Sequence, residues 1–180
     1  LNKGAEAYKN ENFKEAMEYY HLASTMGSDI AASNLGYCYL YGRSVEANVD
    51  LAISYFELAA NRGNVDALYK LGDIYSSDKW KLKDNELSLY YYQLAANILI
   101  GCDWSKEDAI AFTEELEEYP SLCYALAREL MPGGNLKTSL DQAYQFLLHA
   151  EKGYMKEVFN GATYYKKNLN KVTVLLQDDI

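Results

Sequence analysis

The feature that most narrows what this chain can fold into is a repeat period. The segment Ala16-Met17-Glu18-Tyr19-Tyr20-His21-Leu22-Ala23 returns 36 residues later as Ala52-Ile53-Ser54-Tyr55-Phe56-Glu57-Leu58-Ala59, and after another 36 as Ser88-Leu89-Tyr90-Tyr91-Tyr92-Gln93-Leu94-Ala95. A fourth copy, Ala143-Tyr144-Gln145-Phe146-Leu147-Leu148-His149-Ala150, follows after 55 residues, so about one helix and a turn has been inserted before it. Each copy places small, aromatic, aromatic or aliphatic, and small residues at offsets 0, 3, 4 and 7, which is one stripe of an α-helix. A period of this length marks a stack of small units, none of which can cover its own apolar face.

A second stripe precedes the first. Ala31, Leu35, Gly36 and Tyr39 recur at the same offset as Ala67, Leu71, Gly72 and Tyr75, and in the fourth unit as Leu122, Leu126, Ala127 and Leu130, with Gly133 answering Gly42 as the turn residue. Gly36 and Gly72 fall in mid-helix, where glycine costs about 1 kcal/mol against alanine, so close approach by a partner helix is the expected compensation. The predicted fold is all-α: an α/α solenoid of helical hairpins, a right-handed superhelix forming one domain over 1–180 with repeats at about 1–27, 28–63, 64–101 and 121–153. The stretch 105–119 has no counterpart in the period. Ser105 with Asp108 reads as a capping box, Ala109, Ile110, Phe112 and Leu116 as an apolar side and Pro120 as the stop, which predicts one extra helix there. Past Gly153, Asn160-Gly161-x-x-Tyr164 is expected to open a partial C-terminal repeat over 154–180, with 171–180 open between a last helix and an irregular tail.

The run Leu35-Gly36-x-x-Tyr39-x-x-Gly42, continued by Asp50, Ala52, Tyr55-Phe56, Ala59-Ala60 and Gly63, resembles a Sel1-like repeat, a relative of the tetratricopeptide repeat. The opening unit, from Gly4 through Asn10-Glu11-Asn12-Phe13 to Ala16, Tyr19, Tyr20 and Ala23, has a shorter turn and resembles a tetratricopeptide repeat proper. The third unit departs from the pattern, with Asp78 where Gly42 stood and Leu99 where Gly63 stood, so its turns are expected to differ. The resemblance implies non-enzymatic adaptors that assemble signalling or envelope-associated complexes, often in bacteria.

Charge limits the partners. With 17 Lys and Arg against 26 Asp and Glu the net charge is -9, which repels nucleic acid and anionic lipid unless a local basic patch overrides it, and the sequence presents no such patch. No apolar run approaches the length that inserts into a membrane. Three cysteines, Cys38, Cys102 and Cys123, cannot all pair, which fits reduced thiols in a cytoplasmic protein, or in an envelope-associated one if an upstream signal has been removed from this chain without an initiator Met. Oligomeric state is not legible.

Catalytic and metal chemistry find little purchase. His149 shares a column with Leu22, Leu58 and Leu94 and is expected to pack, while His21 shares one with Glu57 and Gln93 and is expected to be exposed. Neither has metal-ligand neighbours at motif spacing. Cys38 has no recognisable activating partner, Gly133-Gly134 reads as a turn, and Glu114-Glu115 with Glu117-Glu118 spreads over more than one helix face, as a solvated surface does. No catalytic residue, metal ligand or cofactor site is predicted.

What the sequence does offer is a surface. If Leu35 and Tyr39 face the interior, residues two positions away are rotated by about 200°, so Ser33, Tyr37, Leu40 and Tyr41 point to the other side of that helix. The same offset picks out Tyr69, Asp73, Ser76 and Ser77, then Tyr124, Arg128 and Met131, with Tyr8 and Lys9 in the first unit. The expected binding face for a protein or peptide is the concave groove lined by Tyr8, Lys9, Ser33, Tyr37, Tyr41, Tyr69, Asp73, Tyr124 and Arg128. Lysine and asparagine that grip a terminal carboxylate in tetratricopeptide relatives are replaced here by Tyr37 and Asp73. Two alternatives stand beside this reading: a carbohydrate or cell-wall-fragment binder using tyrosine faces, and the repeat portion of a larger protein whose other domain carries an activity.

Overall fold

The computed structural model describes residues 2–104, 113–137 and 139–177, and the chain divides into two compact units, Leu1–Ser88 and Leu89–Ile180. The fold is all-α. Among the described residues there are nine α-helices and no strand: α1 (Asn2–Lys9), α2 (Phe13–Thr25), α3 (Asp29–Tyr41), α4 (Val49–Ala60), α5 (Val65–Ser76), α6 (Asn85–Ile100), α7 (Pro120–Leu130), α8 (Leu140–Phe159) and α9 (Lys166–Gln177). Neighbouring helices pack on one another, α1 to α5 in succession in the first unit and α7, α8 and α9 in succession in the second, as in an α/α solenoid.

Both sequence stripes face inward. Ala16 and Tyr20 of α2, Ala52, Phe56 and Ala59 of α4, and Ala143, Phe146, Leu147 and Ala150 of α8 are buried, and Ala31, Leu35, Ala67, Leu71, Leu122, Leu126 and Leu130 on the helices between them are too. Alanine at the repeated positions lets helices approach, and the rings fill the space beside it. Gly36 shows the compensation expected for a mid-helix glycine: a Cβ there would lie 2.7 Å from two atoms of the buried Phe56 ring. The partner is thus a side chain of α4, and not its backbone.

One backbone hydrogen bond recurs in three of the hairpins. The N–H of Asn48 donates to the Tyr39 carbonyl at 2.9 Å, that of Asp84 to Tyr75 at 2.9 Å, and that of Ser139 to Leu130 at 3.1 Å, at the offsets of 36 and 91 seen in the sequence. Asn48 and Asp84 also cap their helices, accepting from the N–H of Leu51 and Leu87 at 2.9 Å each. The turns themselves differ. Gly42 ends α3 at φ +67°, whereas Asp78 at the matching place belongs to a 3₁₀ turn, Asp78–Trp80, followed by Lys81 at φ +58°. After α6 the left-handed turn falls on Gly101, two residues beyond Leu99. So the period is held by the hairpin bond and the cap while the loop between them varies.

Unit two departs from the sequence expectations at its joints. Of the extra helix expected over 105–119, residues 105–112 lie outside the described residues, and Glu114–Glu118 is a 3₁₀ turn. Pro120, expected as a stop, is the first residue of α7; proline suits that place because the first turn of a helix has no partner for its N–H. Gly153 does not close a repeat. It lies buried inside α8, which runs on to Phe159, and a Cβ there would strike the carbonyl oxygen of Glu117. Asn160 and Gly161 end α8, with Gly161 at φ +98°, and do not open a new helix; α9 begins at Lys166 and takes in 171–177. Ion pairs from Lys152 and Lys156 of α8 to Glu117 and Glu118 fasten the 3₁₀ turn, and the buried Trp104 packs edge-on against Phe146 with ring centroids 5.1 Å apart.

Candidate functional site

In the first unit α3 packs against both α2 and α4, so two arcs of the helix are covered and a third is left open. This explains why two expected groove residues are inside: Ser33 is 4% exposed and Leu40 2%, so Ser33 cannot line an open groove. The arc that does reach solvent carries Tyr37, partly buried, and Tyr41, 47% exposed, one helical turn further on. Their rings stack at 6.3 Å with planes 10° apart, and the Phe56 ring meets Tyr37 at 5.1 Å, nearly perpendicular. Packing therefore holds Tyr37 in place before anything binds.

The neighbouring arc of α5 presents Tyr69, Lys70 and Asp73. Lys70 Nζ sits 5.7 Å from the Tyr37 ring centroid and 5.8 Å from that of Tyr69, and pairs with Asp73 Oδ2 at 3.0 Å. Burial pulls the Lys70 ammonium pKa down, but the Asp73 carboxylate and Tyr37 together hold it above its ordinary value. Burial raises the Tyr37 hydroxyl, with Lys70 acting in the opposite sense. At the end of the patch Lys79, from the 3₁₀ turn, lies 5.7 Å from the Tyr41 centroid and 4.3 Å from that of Trp80. Lys70, Lys79 and Trp80 were not singled out from the sequence. Lys70 carried a usable signal, since it lies 36 residues after Asn34 on the same arc as Tyr37.

Tyr8 turns the other way. It packs on the core formed by Ala7, Ala16, Met17, Tyr20, Ala31, Leu35 and Cys38, with its ring 5.0 Å from Phe13, while Lys9 is exposed at the end of α1. His21, expected to be exposed, is partly buried in an aromatic cluster: its ring is 5.9 Å from Tyr55 and 6.5 Å from Tyr39, and those two tyrosines stack at 5.4 Å. The ring is drawn in because tyrosines on α3 and α4 offer it two faces.

In the second unit Tyr124 and Arg128 of α7 line a cleft of about 480 Å³ together with Lys167, Asn170, Lys171, Val174 and Leu175 of α9. Arg128 meets Lys167 and Lys171 of a helix about 40 residues further along the chain, so the sequence expectation of no basic patch does not hold for this unit. A smaller cavity of about 230 Å³, lined by Met131 and the turn at Gly133 and Gly134, shares Arg128 and Leu175 with it. Of the α9 residues, Lys171, Val174 and Leu175 fall in the tail that the sequence leaves open, and Lys167 and Asn170 just before it, in the expected partial repeat.

Nothing in either patch resembles a nucleophile and its base. The Cys38 thiol is fully buried and burial pushes its pKa up to about 11; Cys123 is buried, raised in the same direction, and donates to the Leu116 carbonyl at 3.4 Å. His149, buried beside Glu117, is lowered by burial. Among the described residues no group of three or more His, Cys, Asp or Glu could hold a metal ion, and no helix is long and apolar enough to cross a membrane.

The Sel1 repeat family model matches residues 2–28, 29–64, 65–97 and 120–150, well over half of the chain and in register with the helix pairs. The chain belongs to the Sel1 repeat family. Sel1 repeats generally serve as protein–protein interaction modules, and proteins built from them are typically non-enzymatic scaffolds. Among solved structures the chain is similar to a Sel1 repeat protein from Oxalobacter formigenes, with a TM-score of 0.57 and 22% identity over 88% of this chain and 54% of that one. It therefore spans about half of that relative, and the likeness is one of fold. A protective antigen of uropathogenic Escherichia coli strains, described as displaying an SLR fold, aligns with a TM-score of 0.45 and 16% identity over 80% of this chain and 36% of that one. No curated protein matches the sequence.

Proposed function

We propose that this Sel1 repeat chain is a non-enzymatic interaction module that holds a peptide or protein segment against the open arcs of its first helices. The observation that carries the reading is the prearranged patch on α3 and α5: Tyr37 wedged on Phe56 and stacked on Tyr41, with Lys70 between Tyr37 and Tyr69 and tied to Asp73. A surface whose rings are already immobilised loses little side-chain entropy on binding, which favours affinity. Tyrosine supplies contact area, and the Lys70–Asp73 pair supplies a donor and an acceptor for a polar backbone. Tyr124 and Arg128 provide a comparable open arc in the second unit. Lysines over the Tyr37 and Tyr41 rings favour a peptide over a carbohydrate, since a sugar needs a bare aromatic face on which to stack.

The test is site-specific photocrosslinking in native extract with a benzophenone side chain at Tyr41, compared with one at the exposed Ser54 of α4. The expected outcome is a defined protein adduct from position 41, lost when Lys70 is changed to Ala. Equal adducts from positions 41 and 54, or adducts from 54 alone, would refute the assignment of the binding face.

A further inference from the structure

We propose that the cleft between α7 and α9 takes an acidic segment of a partner protein, its carboxylates on Arg128, Lys167 and Lys171 and an apolar side chain against Tyr124, Val174 and Leu175. The proposal rests on the interaction-module reading and adds the chemistry of the partner. Its basis is charge in an unusual place. The protein carries a net charge of -9, yet the cleft is lined by three cations and no carboxylate. Among the described residues none of these three cations stands in an ion pair, whereas Lys152 and Lys156 on the adjacent α8 pair with Glu117 and Glu118. The acid nearest in sequence, Glu129, is turned to Asn135, accepting from its backbone N–H at 2.9 Å and its side-chain amide at 2.8 Å. Helix α9 contains three lysines and no acid along its length. Gathering like charges costs free energy, and an anionic ligand removes that cost.

Geometry narrows the anion. Lys167 and Lys171 are four residues apart on one helix face, so their bases are separated by about 6 Å along the axis. That spacing matches carboxylates two residues apart on an extended chain, about 6.6 Å. Val174 continues the same face and is 52% exposed, and Asn170 adds a side chain that can both donate to and accept from a peptide backbone. A volume of about 480 Å³ admits one or two large side chains beside the charged rows. A nucleic acid or a lipid surface would extend beyond the cleft and meet the acidic remainder of the protein, whereas a short segment touches only the cations.

The experiment probes the full chain on an array of random 12-residue peptides, followed by fluorescence anisotropy of the best binder at low and high salt. The expected result is enrichment of Asp and Glu flanking an apolar residue. Lys167→Glu combined with Lys171→Glu should weaken the best binder by at least about tenfold, the effect of losing one well-formed charge contact. Val174→Asp, at an exposed site that should not disturb folding, is expected to weaken it as well, and circular dichroism confirms that each variant is folded. Single-stranded oligonucleotide and phosphatidylserine vesicles serve as the other anionic probes; tighter binding to either, lost in the same double variant, would overturn the peptide assignment. Peptides selected without acidic preference, but released by Tyr41→Ala, would leave the interaction module standing and sink this proposal alone. If no peptide is retained at all, both readings fall.

Discussion

Replacing Gly36 with alanine sets two effects of known size against each other. In an exposed helix the change should stabilise by about 1 kcal/mol, because alanine loses less backbone entropy than glycine. Here the new Cβ would lie 2.7 Å from Cδ1 and Cε1 of Phe56 and 2.9 Å from Cζ, well inside contact distance. A flexible side chain could swing away, but Phe56 is fully buried and the Tyr37 ring bears on it at 5.1 Å. Overpacking of this kind costs about 1–3 kcal/mol. Subtracting the propensity gain leaves a net loss of up to about 2 kcal/mol in urea denaturation followed by circular dichroism. The decisive measurement is the cycle with Phe56→Leu, whose smaller side chain vacates the ring volume. In that background Gly36→Ala should be neutral or stabilising, a coupling of about 1 kcal/mol or more. A Gly36→Ala protein as stable as the parent, with no coupling to position 56, would refute the claim that glycine is there to admit the ring.

Gly153→Ala should be costlier than Gly36→Ala, about 3 kcal/mol or more by the same assay, because the atom in the way is the backbone carbonyl of Glu117, which cannot rotate aside. Asn64→Ala should cost about 1–2 kcal/mol, since the buried side chain both caps α5, accepting from Ala67 N–H at 2.8 Å, and donates to Asp29 at 2.9 Å in the preceding repeat; retention of parental stability would show these bonds to be idle. Stability should fall in alkali. Burial raises the Cys38 thiol from 9.0 to about 11 and the Tyr154 hydroxyl from 10.0 to about 12, so the unfolded chain loses these protons first. Their contribution is intact below pH 9 and declines up to about pH 12, by at most about 1.4 kcal/mol per pH unit for each group. Cys38→Ala should delay the onset by about one pH unit, and an unchanged curve would count against the buried thiol as its source.

How far the site could be read in advance depended on how far apart its parts lie. Tyr37, Tyr69 and Asp73 follow from one helical rotation applied to a repeated stripe, so a single offset finds them. Ser33 passed the same test and failed in space, because α3 is covered by two neighbours and the open arc is narrower than half the helix. Lys70 was overlooked for a related reason: its worth comes from Tyr37 on another helix and Asp73 one turn on, and neither pairing is visible in its own repeat position. The basic cleft could not be read at all, since Arg128 lies 39 residues from Lys167 and only packing on α8 brings α7 and α9 side by side.

The sequence by itself determined the helices of the four repeats, their apolar stripes and the order of the hairpins along the chain. Those properties are local: a 3.6-residue turn, a cap and a small residue at a fixed offset act within one repeat and are printed again in the next. Only the tertiary structure decided which arcs stay open, where Pro120 and Gly153 fall within their helices, and which charges meet. These depend on neighbours that are remote in the chain, and on the rigidity of packed rings, for which a linear pattern carries no coordinate.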